Sequence, residues 1–471
     1  MLARAQASRR PFVSEGRTVQ ATPRNSGPIH GATGLTLEAA SRFGHRFEAP
    51  PSLQPIQRVL DPKKLAGLPH ELRSRLTESV ERFNKRESEK VGKREHEEHL
   101  GSQFQELHDL ERHANGYLRD NPHGVSDEAR LGLFDFLRET EAHHVGLTAK
   151  SLKAGHDLWL PKSVKGKERE RAQGLYRNIA SGKSNIGISS DREAFHYETL
   201  SGLGKLLQGQ HGRDLIEELD APQADKERRI EISDDFKGRF KQDPESFALG
   251  QAAALRDEDR HTLKQGKANE GTGSFVRIYP EPPPKTIGEH QTGVRGEAIH
   301  APSFITLGHE LGHARQNLRG TAGTQSWFSG AQITDKSEQV RWSNPEEHRN
   351  ITQDENALRA EHGLAPRRYH KTIDSQRSEV ARSELTGQLE KLADGLPRGP
   401  LKGQLGQLHN EIHKADLSNP KSIDAYRKRV NSGWRKAMWH HTKSYGKKAL
   451  PYLGAAAVAG LGYAAYRYFG G

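Results

Sequence analysis

Phe304-Ile-Thr-Leu-Gly-His309-Glu310-Leu-Gly-His313-Ala-Arg-Gln-Asn-Leu318 contains His-Glu-x-x-His, with its two histidines four residues apart. In a helix that spacing stacks both imidazoles on one face, where they can grip a single cation. Glu310, the next residue round, can then take a proton from a metal-bound water. Phe304, Leu307, Leu311, Ala314 and Leu318 recur at helical intervals and mark a buried back. The stretch therefore predicts a helix anchored in core on one side, with its histidines lining a cleft on the other.

A catalytic zinc takes three protein ligands and keeps one position open for water. The chain has no cysteine, which excludes disulfides, thiolate zinc sites and cysteine nucleophiles, so the metal must be held by nitrogen and oxygen. A third histidine at metzincin spacing is missing: the position six past His313 is Arg319. The better source is Asn344-Pro-Glu346-Glu347-His348, followed by the helix-like run Ile351 to Glu361. One of Glu346, Glu347 or Glu355 reads as the third ligand, with the others orienting the histidines from behind. His348 is the competing ligand; its plainer reading is a surface histidine. Two further histidine pairs read as solvated surface. His96 and His99 are three apart on a charged segment, and Glu411 sits two residues past His409 rather than beside it.

These runs carry a resemblance. His309-Glu-Leu-Gly-His-Ala, Pro345-Glu-Glu, and Asp354-Glu-Asn-Ala-Leu-Arg-Ala-Glu-His-Gly-Leu-Ala-Pro-Arg367-Arg-Tyr369 together resemble the NleD-type zinc metallopeptidases, type III effectors of animal and plant pathogens. The glutamate pair is also similar to that of clostridial neurotoxin light chains, whose second carboxylate binds the zinc. That likeness implies His309, His313 and Glu347 as ligands of Zn2+ and Glu310 as the base. It also implies an arginine and a tyrosine that stabilise the developing oxyanion, here Arg367 or Arg368 with Tyr369, although Arg-x-x-Tyr spacing would be expected. The implied activity is endopeptidase cleavage of a host signalling protein after secretion by a bacterium, the NleD-type targets being mitogen-activated protein kinases. The resemblance covers residues 185 to 370.

Around this centre the expected fold is α+β, a zincin-like catalytic domain flanked by helical regions. Arg229-Ile-Glu-Ile-Ser233 and Ser274-Phe-Val-Arg-Ile-Tyr279 alternate as strands do, and Ile186-Gly-Ile188 is β-like. An edge strand beside the histidine helix would align an extended peptide by backbone hydrogen bonds. Residues 1–60 are rich in Arg, Ser, Pro and Gly and read as a disordered export or targeting segment. Residues 61–183 and 376–446 read as helical regions on either side of a peptidase domain at 184–375.

The run 449–466, rich in Ala and Gly and bounded by Lys447, Lys448 and Arg467, reads as a membrane anchor or surface contact, with a small-residue helix packed on the body of the protein as the alternative. Net charge is +11, but the charge is dispersed and no groove-reading motif accompanies it, so no nucleic-acid partner is expected. A non-catalytic, membrane-associated helical adaptor is the competing reading. Glu310 with Glu347 separates the two, since an adaptor has no use for carboxylates beside paired histidines.

Overall fold

The first helices close a core of their own. Leu76, Val80 and Phe83 of α1 (His70–Ser88) meet Leu100, Leu107 and Leu110 of α2 (His96–Asp120) and Leu133, Phe134 and Leu137 of α3 (Asp127–Lys153). Ser126 starts α3 by accepting the Ala129 N–H at 3.2 Å, which satisfies one of the orphan donors of the first turn. The computed structural model describes residues 60–89, 92, 95–220, 228–234, 250–254, 267–278, 284–322, 345–394, 396 and 399–445. The expected export segment up to residue 59 and the tail at 449–466 lie outside them. Among the described residues no helix is long and apolar enough to cross a membrane.

The second core holds the centre. It is lined by α4 (Gly166–Ala180), α5 (Glu193–Leu206) and α6 (Gln210–Asp220), which pack with a four-stranded sheet of β1 (Ile186–Ser189), β2 (Ile230–Ser233), β3 (Gly250–Ala254) and β4 (Ser274–Ile278). The strand order is β1-β2-β4-β3, with β3 alone antiparallel, so the sheet ends in an antiparallel edge. A second sheet joins β5 (Gln291–Gly293), β6 (Ala298–Ile299) and β7 (Arg367–Thr372) in the order β6-β5-β7.

Between β6 and β7 in sequence comes α7 (Ser303–Arg319), the histidine helix. Its apolar back, Leu307, Leu311, Ala314 and Leu318, enters the core with Leu206, Ile230, Ile232 and Val276, as its periodicity predicts. The rest of the helix differs from the expected half-open arrangement. His309, Glu310, His313, Gln316 and Asn317 are buried as well, so α7 runs through the interior. The second wall is α8 (Pro345–Asn350), a π-helical turn Ile351–Glu355 and α9 (Asn356–Glu361). Glycines let this wall come close: a Cβ at 308 would lie 2.5 Å from Leu358 Cδ1, and one at 312 would lie 2.2 Å from Asn350 Oδ1. Gly320 then ends α7 in the left-handed conformation at φ 64°, which disfavours any side chain.

Two long helices, α10 (Ile373–Asp394) and α12 (Pro420–Tyr445), close a third core with α11 (Pro400–Lys414) through Leu385, Leu389, Leu408, Ile412 and Val430. The described residues are mostly helical with two small sheets, an α+β arrangement.

Candidate metal centre

Because His309 and His313 are one turn apart on α7, their Nε2 atoms meet at 3.2 Å. Glu347, brought by α8, sets Oε2 3.2 Å from His309 Nε2 and 3.4 Å from His313 Nε2. Among the described residues these three are the one group of three whose ligand atoms lie within 4.8 Å of one another. Two nitrogens and an oxygen this close together could hold a metal ion.

The other faces of the imidazoles are taken. Glu355 Oε2 lies 2.9 Å from His309 Nδ1, and Glu346 Oε1 lies 2.8 Å from His313 Nδ1. A carboxylate accepts, so each Nδ1 carries its proton and each Nε2 is left to act as a ligand. The three glutamates that sequence alone left interchangeable thus have different contacts. The π-helical turn adds a residue to the ladder and lets Glu346, Glu347 and Glu355 all face α7 across its length. Asn350 donates to the His309 carbonyl at 2.9 Å, and Asp354 ties the wall to α6 and α7 through His211 at 3.1 Å and through Arg315. His348, the competing ligand, is half-buried and outside the cluster.

Glu355 is itself clamped. Its Oε1 accepts from Arg359 Nε and its Oε2 from Arg367 Nη1, both at 2.8 Å. Arg359 is fully buried and spends its other donors on the His300 and Ala365 carbonyls and on Gln291 Oε1. Arg367 also donates to the Tyr369 carbonyl at 2.8 Å and to that of His370. The structure thus brings Arg367 to the back of His309 through Glu355, with its guanidinium engaged on every nitrogen. Tyr369 is buried under the Arg368 guanidinium, 4.8 Å from its ring centre, and lines a separate cavity of about 290 Å³ with Thr292, Ile373 and Gln376.

His370, which sequence reasoning passed over, does reach the cluster. Its Nε2 is 3.5 Å from Glu347 Oε2 and its ring centre 6.3 Å from that of His309. The signal would have been the strand β7, but Arg367-Arg-Tyr-His-Lys-Thr372 has too little apolar alternation to announce one. Arg277 was missed although its strand β4 is legible, because alternation does not tell which residue that strand brings to Glu310. Burial lowers the basicity of its guanidinium and the charge of Glu310 raises it, which places the two in electrostatic contact. Glu310 itself is 6% exposed.

The electrostatics match this layout. Burial works against a charged His309, yet the hydrogen bonds it donates to Glu347 and Glu355 prevail and raise its pKa to about 9. His313 is likewise pushed down by burial and held well above its ordinary value by Glu346 and Glu347. Glu347, which burial would raise, is drawn far below the carboxylate range by the two imidazoles. Glu355 follows the same pattern, with Arg367 and Arg359 the largest opponents of burial. Positive charge is therefore favoured where a cation would sit.

A cavity of about 430 Å³ opens near the N-terminal end of α7, lined by His108, Glu111, Lys205, Phe304 and His362 among others; no member of the cluster lines it.

Residues 183–370 match the model of Peptidase_M91, a family of effector proteins. It is the NleD-type metallopeptidase family. The M91 segment runs from just before β1 into β7 and holds every residue of the centre, whereas α1–α4 and α10–α12 lie outside it. No curated protein and no solved structure matches the chain.

Proposed function

We propose that the chain is a zinc-dependent endopeptidase effector that cuts a host protein. The observation that carries this reading is the convergence of His309 Nε2, His313 Nε2 and Glu347 Oε2 while both Nδ1 atoms are engaged by carboxylates. An adaptor would gain nothing from burying three carboxylates against two imidazoles, since each buried charge costs desolvation. Zinc held there would polarise the scissile carbonyl and lower the pKa of its coordinated water.

The chain's own residues supply the rest. Glu310 accepts the proton of the attacking water and returns it to the leaving amine. Glu346 and Glu355 keep both imidazoles in one tautomer and orientation. Among the described residues the antiparallel strand β3 is the edge of the sheet against which α7 packs, and a sheet edge can take up an extended peptide by backbone hydrogen bonds. Sheet edge and histidine helix together support a zincin-like catalytic domain at 184–375, flanked by helical regions at 61–183 and 376–446. The NleD-type likeness favours a host signalling protein such as a mitogen-activated protein kinase as substrate, met after secretion by a bacterium.

Elemental analysis and a cleavage assay on wild type, Glu310→Gln and His313→Ala test the reading. Wild type should hold one zinc and cut; Glu310→Gln should keep the zinc and not cut; His313→Ala should lose both. A wild-type protein that cannot be loaded with zinc would end this reading.

A further inference from the structure

We propose that His370 is a catalytic residue of this peptidase, donating its Nε2–H to the substrate carbonyl oxygen as that oxygen takes on negative charge. The proposal rests on the peptidase reading above and names a group that reading leaves open. A preorganised donor about 3 Å from the developing oxyanion speeds hydrolysis of a peptide bond beyond what a base and a polarising cation supply.

Arg367 is poorly placed for that task. Its Nη1 holds Glu355 at 2.8 Å, its Nε holds the Tyr369 carbonyl at 2.8 Å, and its Nη2 is bonded to the His370 carbonyl. Releasing it would strip Glu355 of a buried counter-charge. What those bonds achieve is the fixing of β7. Asn356 adds a pair of bonds, accepting from the Arg367 N–H at 2.7 Å and donating to the Arg367 carbonyl at 2.9 Å. Residue 370 is thereby registered to the same carboxylate that holds His309.

From that fixed strand the His370 ring reaches the ligand cluster without joining it. Nε2 lies 3.5 Å from Glu347 Oε2, yet the group of atoms within 4.8 Å of one another comprises only His309, His313 and Glu347. Accessibility separates it further. The His370 side chain is 33% exposed, against 8% for His309, 11% for His313 and 15% for Glu347. Of these four side chains it is the one most open to solvent, and so the one most readily met by a bound peptide. Imidazolium and one neutral tautomer both carry a proton on Nε2, so the role does not depend on its charge.

The step balances without a further reactant. The water oxygen bonds to the carbonyl carbon, the carbonyl π pair moves onto oxygen and accepts the His370 N–H, and Glu310 holds the water's proton. As the C–N bond breaks, that proton goes to nitrogen and the oxygen pair re-forms the carbonyl.

The test compares wild type, His370→Ala and His370→Gln on a peptide selected from a randomised library by wild-type cleavage. A phosphonamidate of that peptide, with tetrahedral phosphorus at the scissile carbonyl, gives a binding readout apart from turnover. Loss of one oxyanion donor should lower kcat of His370→Ala by about 10²–10³-fold with KM little changed, and weaken phosphonamidate binding in parallel. Zinc content and Tm should stay at wild-type values, and His370→Gln, which keeps an N–H donor, should recover part of both losses.

Three results would overturn the proposal: unchanged kcat in His370→Ala, loss of its zinc, or a fall in kcat with phosphonamidate affinity unchanged. If wild type holds no zinc and cuts no peptide, the peptidase reading falls and takes this one with it. If wild type cuts and His370→Ala cuts equally well, only the role of His370 is lost.

Discussion

Oε2 of Glu355 accepts a hydrogen bond from Nδ1 of His309 at 2.9 Å, between side chains that are 1% and 8% exposed. Water cannot replace such a contact, so the carboxylate fixes both the tautomer and the ring plane of the histidine. Glu355→Gln should weaken zinc binding by about 10–100-fold, the usual effect of removing a ligand's buried hydrogen-bond partner. It should also lower stability, because Arg359 and Arg367 lose a shared counter-charge. Competition with a chromogenic chelator reads the first effect and thermal unfolding the second. Wild-type zinc affinity in this variant would show that the contact is incidental.

Glu346 does the same for His313 at 2.8 Å, but its side chain is 22% exposed. Solvent can partly take over as acceptor there. Glu346→Gln should therefore sit at the low end of the same range, about tenfold in zinc affinity, with little change in Tm. Equal losses for the two variants would mean that burial does not set the strength of these contacts.

The two α7 glycines are a matter of space. A Cβ at position 312 would fall 2.2 Å from Asn350 Oδ1 and 3.3 Å from Asp354 Oδ2, the wall that carries Glu346, Glu347 and Glu355. Overpacking typically costs ~1–3 kcal/mol, more than the ~1 kcal/mol that Ala gains over Gly in a helix. Gly312→Ala should be destabilised and bind zinc more weakly, as Asn350 is pushed off the His309 carbonyl. Gly146 of α3, where a Cβ meets nothing within 4 Å, is the control: Gly146→Ala should gain stability. Urea unfolding of both variants checks the pair, and a stabilised Gly312→Ala would refute the close-packing account.

Local pattern carried the helix, its buried back and the ligand candidates, because four-residue spacing and apolar periodicity are properties of the chain itself. Strands at 186–189, 230–233 and 274–278 were likewise legible from alternation. The sorting of Glu346, Glu347 and Glu355 was not, since it depends on the π-helical turn at Ile351–Glu355 and on how that wall meets α7. β7 was missed because Arg367, Tyr369 and His370 are held by buried arginine hydrogen bonds and by β5 rather than by an apolar face. Burial of the polar side of α7 was missed for the same reason: it is covered by glutamates and arginines that pair with one another, and hydropathy reads such residues as solvent-facing.

One such pair joins the N-terminal helices to the M91 segment. Glu111 of α2 accepts from Lys205 of α5 at 2.6 and 2.8 Å, with side chains 15% and 8% exposed, and His144 lies 3.4 Å from the same carboxylate. Burial would raise the Glu111 pKa, but Lys205 and His144 hold it well below its ordinary 4.5. A carboxyl whose folded pKa is depressed contributes stability above its unfolded pKa and loses it as pH falls through the window below. Breaking one side of a buried pair costs about 3–5 kcal/mol, so Glu111→Gln should be destabilised by that order at neutral pH. The gap between wild type and variant should then narrow as pH is lowered past about 4.5, because wild type alone must take up a proton at this position. Urea unfolding of both proteins at neutral pH and in mild acid measures the gap, and a gap that stays constant would mean Glu111 is not ionised in the folded chain.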